Sequence, residues 1–170
     1  MTKKTGVLDT PPEDELKIVL EAHNNERVQE LIAFGVDVNG RSEHDSYLAV
    51  AARAGNHVGV LRLLKAGAKV SRLVLDDAVR GGNARTADRI LDELFYANIE
   101  VDMDVEMSQL LLQRGTTPLL NVPMLEWLAK QKVDLAMRSA HGNSLYDHAR
   151  RDQAADEVIE FVKRFDDRAD

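Results

Sequence analysis

The sequence predicts an all-α fold: a solenoid of helical pairs with projecting loops or short hairpins between them. Three observations carry that prediction. Apolar residues recur at helical spacing in segment after segment: Val28, Leu31 and Ile32, then Val60, Leu61 and Leu64, then Ala87, Ile90, Leu91, Leu94 and Phe95, then Val158, Phe161, Val162 and Phe165. Strand-type alternation is confined to one stretch, 99–107. The chain also repeats itself, since VQELIAFGVDVN from Val28 matches VLRLLKAGAKVS from Val60 with Gly35 over Gly67, a displacement of 32 residues.

The first helix has a legible start. Thr10 can cap it, Pro11 and Pro12 suit its first turn and Glu13 completes a Thr-x-x-Glu box, so it is expected from about Pro11 to His23. A second helix from Val28 closes at Gly35. AARAGN (51–56) and AVRGGN (78–83), displaced by 27 residues, mark where the first helices of the next two copies stop. At Gly55-Asn56 and Gly82-Asn83 the chain must turn back, and glycine takes the left-handed conformation without steric cost. A phosphate cradle there would need GxxxxGK[ST], or GxGxxG behind a strand, and neither occurs.

Asn98 to Asp102 falls where Gly67 to Ser71 did, at a displacement of 31, so the intervening helix must be one turn longer. A fourth copy is blurred: MLEWLAKQKVDLA from Met124 follows RVQELIAFGVDVN from Arg27 at a displacement of 97. A fifth is clear in GNSLYDHARRDQAADEVIEFVKRF from Gly142. The repeats are therefore expected at about 10–40, 41–71, 72–103, 104–137 and 138–165, with flexible tails at 1–9 and 166–170. Helices of roughly ten residues are marginal alone, so each must be held by its neighbours. Leu61 is assigned to the shared core, where Leu61→Asp would unfold adjoining repeats.

Composition narrows the function classes. Hydrophobic residues make up 44% and charged residues 30% of the 170, which suits a folded chain with a core. The formal charge is −7, from 22 Lys+Arg against 29 Asp+Glu, with no basic run. Nucleic acid is thus a poor partner, because phosphates need a basic stripe. Cysteine is absent, which removes disulfides, thiolate zinc sites and cysteine nucleophiles together. No apolar stretch follows Lys3-Lys4, so neither a signal peptide nor a membrane anchor is expected, and the default expectation is a cytoplasmic, monomeric protein.

Residues capable of chemistry each have a plainer reading. IEVDMDVEM (99–107) would line Glu100, Asp102, Asp104 and Glu106 along one face if extended. A calcium loop counted from Asp102 needs Gly sixth and Glu twelfth, but Met107 and Gln113 stand there, so the stretch reads as a protruding finger with an acidic edge. His23, His44, His57, His141 and His148 are scattered, without HExxH. GNSLY lacks the closing glycine of GxSxG, and Ser144 reads as a helix cap. Trp127, the single tryptophan, reads as core or repeat interface rather than a binding anchor. No cofactor or metal is expected.

The repeats resemble the ankyrin family, whose unit is a turn, two antiparallel helices and a protruding loop. The family's Leu-Leu-x-x-Gly-Ala-Asp-Val-Asn ending is matched by Leu31 to Asn39 and by Leu63 to Ser71, and its Gly-x-Thr-Pro-Leu-His-x-Ala-Ala start by Ser46 to Ala52 and Gly142 to Ala149. Similarity spans roughly 16–165. The Thr-Pro pair is missing from every matched start, and Ser71 runs almost directly into Leu73, so one finger looks deleted. GTTPLL (115–120) mimics a start but lies too close to Val133 for two helices in the family's register, and so reads as a loop or helix entry.

The resemblance implies a surface rather than a pocket, binding another protein through a concave face and fingers without catalysis. It places Arg41, Glu43, His44, Asp45 and Tyr47 on the first finger and Arg138, His141 and Asn143 on the last, with Arg53 and Arg80 at variable groove positions. Arg150 lies at a similar point of the last repeat. Arginine's enrichment at interface hot spots favours binding there over simple solvation. A small acidic binder suits an inhibitor, for instance an immunity protein that neutralises a toxin. A secreted or host-targeting effector or a regulatory subunit would share these features, and the competing class is a metal-binding or enzymatic helical protein using the acidic run 100–106.

Overall fold

Helix ends organise this chain. The computed structural model describes residues 11–42, 45–113 and 120–166, and among them lie ten helices and one two-stranded hairpin. Two compact units divide at Lys69–Val70. None of the described helices is long and apolar enough to cross a membrane.

In the first unit, α1 (Pro12–Glu21) packs on α2 (Asn25–Ala33) and α3 (Tyr47–Arg53), while α4 (His57–Lys65) packs on α3 and α2. First helices thus meet first helices and second meet second. Leu16, Leu20, Val28, Leu31, Leu48, Val60 and Leu63 fill the space between them. Ahead of α3, β1 (Arg41–Ser42) pairs antiparallel with β2 (Asp45–Ser46), and Ser46 then caps α3 by accepting from the Ala49 N–H at 3.2 Å.

The second unit holds α5 (Arg72–Arg80), α6 (Ala84–Tyr96), α7 (Met103–Leu111), α8 (Val122–Lys130), α9 (Leu145–Arg151) and α10 (Asp156–Lys163). Helices α5 and α6 form one packed pair and α9 and α10 another, and α8 packs on both α6 and α10. Trp127 on α8 is buried and its indole N–H donates to Asp88 Oδ1 at 2.9 Å, which makes it the repeat interface that its sequence position suggested. The extra turn between Gly67 and Asn98 also appears, since α6 has 13 residues against 9 in α4.

Left-handed residues punctuate the helices at His23, Gly35, Gly55, Gly67, Gly82, Asn98, Lys132 and Gln153. At the second-helix ends the bonds recur in one form: Gly67 N–H to Leu64 O and Ala68 N–H to Leu63 O, then Asn98 to Phe95 and Ile99 to Leu94, then Lys132 to Ala129 and Val133 to Leu128. Each returns two N–H groups to orphan carbonyls of the last turn. Lys132 therefore stands at the position of Gly67, which explains why the fourth copy is blurred in the sequence.

Asparagine starts the partner helices. Asn24, Asn56, Asn83 and Asn121 each accept from a backbone N–H three residues on. Asn56 is 1% exposed, and its amide also donates to Leu20 O at 2.9 Å, one repeat away. Asn121 does the same to Gly82 O at 2.7 Å. One side chain thus caps its own helix and ties it to the preceding turn.

Three expectations need correction. Leu61 is 40% exposed, because the buried seam of α4 runs through Val60 and Leu63 instead. The acidic stretch 99–107 is not an extended finger: Asp102 caps α7 by accepting from the Val105 N–H, and Met103 onward is helical with Met107 buried. Helix α1 starts at Pro12 with Pro11 at its cap position and stops at Glu21, because His23 turns left-handed. Thr10, and residues 115–119 of GTTPLL, lie outside the described residues.

Candidate partner-binding surface

Ser46 stops the hairpin and begins α3, which brings the hairpin's Asp45 beside the far end of that helix. Arg53 Nη1 lies 2.9 Å from Asp45 Oδ2, with both side chains about half exposed. Lys17 and Glu21 of α1, one turn apart, face them, and Val50 and Ala54 form the floor of a cavity of about 320 Å³. His23 Nε2 sits 2.9 Å from Ala54 O and holds the end of α3 against the end of α1. Two cations and two carboxylates at the rim of an open hollow can exchange internal pairings for pairings with a partner. An exposed ion pair such as Arg53–Asp45 contributes only about 0.2–1 kcal/mol.

Of the residues expected on the first finger, Asp45 belongs to this hollow, Arg41 is placed in β1 by its backbone, and Glu43 and His44 lie outside the described residues. Tyr47 is a correction. It is 0% exposed, and its hydroxyl donates to Glu13 O at 3.0 Å, because the first residue of α3 points back beneath α1. Burial and the neighbouring carboxylates Glu13 and Asp14 push its phenol upward. Tyr47 is therefore core, not contact surface.

Arg80 lies in the second unit, where Nη2 donates to Gln113 Oε1 at 2.6 Å. Burial raises the nearby Asp76 carboxyl, with Arg80 opposing the shift. The Arg138 guanidinium, partly exposed, pairs with the buried Asp166 carboxylate at 2.9 Å. The Ser144 hydroxyl donates to the same carboxylate, and this bond, then Arg138, holds the Asp166 carboxyl below its ordinary range. Arg138 thus ties Asp166, just beyond α10, to the start of α9. His141 and Asn143 are exposed beside Gly142; Asn143 O accepts from the Ser139 N–H and the Asn143 N–H donates to the Ser139 hydroxyl. Arg150 stacks over Tyr146, 5.7 Å from the ring centroid.

Ser144 is the expected cap: its hydroxyl accepts from the Asp147 N–H, while the Asp147 carboxylate accepts from the Ser144 N–H at 2.8 Å. The acidic run is already engaged at three positions. Asp102 caps α7, Asp104 accepts from the Asp134 N–H at 2.8 Å, and Glu106 pairs with Arg72 at 3.3 Å. Among the described residues no group of three or more His, Asp or Glu side chains is placed to hold a metal ion. Lys17, Glu21 and Val50 were not singled out from sequence. The signal was present, because Lys17 and Glu21 sit four apart on α1, one residue on from Leu16 and Leu20, and so flank its buried face.

No protein-family model matches this chain, and no curated protein matches it.

Proposed function

We propose that this chain is a non-catalytic protein-binding module, built from degenerate ankyrin-type repeats, whose partner docks on the hollow formed by Lys17, Glu21, Asp45 and Arg53. The observation that supports it most is the mixed-charge rim beside the β1–β2 hairpin, where Lys17, Glu21, Asp45 and Arg53 surround one open hollow. Most other polar side chains singled out by sequence do structural work as caps, clamps or ties between repeats. The reading takes the protein as monomeric and cytoplasmic, acting as an inhibitor of its partner; an immunity protein that neutralises a toxin is the most specific form. A host-targeting effector or regulatory subunit would use the same surface.

The test is affinity capture from the source cell with the intact chain and three variants. Arg53→Glu is expected to weaken capture about thirtyfold, the loss typical of an interface hot spot. Arg80→Glu added to it extends the comparison to the second unit. The double exchange Asp45→Arg with Arg53→Glu restores an ion pair of reversed sense and should stay as weak as the single variant. Capture that is unchanged by Arg53→Glu, or fully restored by the exchange, would show that the pair merely holds the hairpin.

A further inference from the structure

The last turn of α6 exposes what a helix usually hides. Phe95 is 77% and Tyr96 73% exposed, and the two rings pack edge to face with centroids 5.9 Å apart. After them the chain turns left-handed at Asn98, and 99–102 continue until Asp102 caps α7. That turn sets Ile99 and Val101 opposite Leu91 and Phe95, enclosing one side of a cavity of about 670 Å³. Glu100 and Asp102 supply the charged part of its lining, and no lysine or arginine lines it. Glu100 has no ion-pair partner among the described residues.

We propose that this hollow on the second unit is a docking site for a cationic amphipathic segment of a partner protein, a large apolar side chain flanked by Lys or Arg. The apolar wall gives the anchor a place to leave water, and Phe95 and Tyr96 are the residue type that supplies most contact energy at such sites. The carboxylates select the flanking charge, because an anionic segment would meet Glu100, Asp102 and a chain of net charge −7. The same repulsion disfavours a second copy of this chain as the occupant. This site is separate from the Arg53 hollow and does not depend on it.

The probe is a labelled synthetic peptide in which Lys and Leu flank a single Trp, titrated into the full chain by fluorescence anisotropy. Two control peptides replace Lys by Glu, or Leu and Trp by Ser. The Lys peptide should bind and both controls should not, and its affinity should fall severalfold between about 0.05 and 0.5 M salt. Phe95→Ala should weaken binding roughly tenfold or more and Glu100→Lys roughly fivefold, with thermal midpoints unchanged because both side chains are exposed. Arg53→Glu should leave peptide affinity as it was. The proposal fails if the Lys peptide does not bind below about 1 mM, if the Glu peptide binds as well, or if Phe95→Ala has no effect. It also fails if sedimentation shows a dimer that Phe95→Ala dissociates.

Discussion

Among the described residues, three of the four left-handed helix ends in the first unit are glycines, Gly35, Gly55 and Gly67, with His23 the exception; in the second unit only Gly82 is glycine, and Asn98, Lys132 and Gln153 fill the other three. The backbone does the same thing in both, with the same pair of returning hydrogen bonds. What differs is the conformational cost: a side chain in this region costs about 1 kcal/mol or more, less for asparagine. Repeat geometry is therefore imposed by packing, and glycine eases it without being required. The unit that uses glycine is also the one whose repeats are easiest to see.

The comparison is sharpened most by buried charge. Leu63 in the first unit and its counterpart Leu94 in the second are both fully buried, so Leu63→Asp and Leu94→Asp should each cost more than about 4 kcal/mol. Leu61→Asp should stay within about 1 kcal/mol, since its side chain already meets water. Urea unfolding would measure all three, and a severe Leu61→Asp defect would mean that the α4 seam is misassigned.

Next in size are the bridging asparagines. Asn56→Ala removes a cap, leaves the Gly59 N–H unpaired in the core and takes from Leu20 O one of its two donors, the His23 N–H remaining, at a cost of roughly 2–3 kcal/mol. Asn121→Ala should cost less, about 1–2 kcal/mol, because its bonds are only partly buried. Equal losses would erase this distinction between the units.

The glycine exchange is a smaller and more direct test. Gly67→Ala meets no atom within 4 Å, so its expected cost of about 1 kcal/mol is purely conformational. Lys132→Gly should do the opposite and stabilise the chain by ~0.5 kcal/mol, strain relief being partly offset by chain entropy. If Lys132→Gly destabilises the protein, the lysine side chain contributes more than its strained backbone costs.

The smallest effect is confined to the second unit. His148 is buried in α9 with Nε2 unpartnered and Nδ1 3.0 Å from Arg151 Nη2; burial first and then Arg151 push its imidazole below 6.5, with Asp152 and Asp147 opposing. The unfolded chain thus takes up this proton more readily than the folded one. Stability is fully present above pH 6.5 and erodes as the pH falls below it, towards the lower folded value. Thermal midpoints of His148→Leu should lose that slope, and a slope that survives the substitution belongs to another group. Asp166, whose carboxyl is lowered, adds a separate loss only as pH falls below 3.8.

Several features were legible before any coordinates. The Gly55-Asn56 and Gly82-Asn83 turns, the added turn of α6, the Ser144 cap and the interface role of Trp127 all follow from local rules or from register within the repeat. Tyr47 is core although its place after a loop suggests surface, because the first residue of α3 tucks under α1. The acidic stretch 99–107 was misread because alternation and the first turn of a capped helix look alike over so few residues.

Sequence alone determined the helical class, the repeat spacing and most helix ends, because these depend on periodicity, glycine and capping within a few residues. Only tertiary structure decided which apolar residues are core and which are left open. Val60 and Leu63 are buried and Leu61 is not; Leu94 is buried while Phe95 and Tyr96 face outward. An amphipathic pattern fixes a helix's apolar arc only to within about a residue's rotation, and the choice within that arc is made by the neighbouring helices. The Lys17–Glu21–Asp45–Arg53 hollow arises in the same way, from α1, a hairpin and α3 meeting at one place.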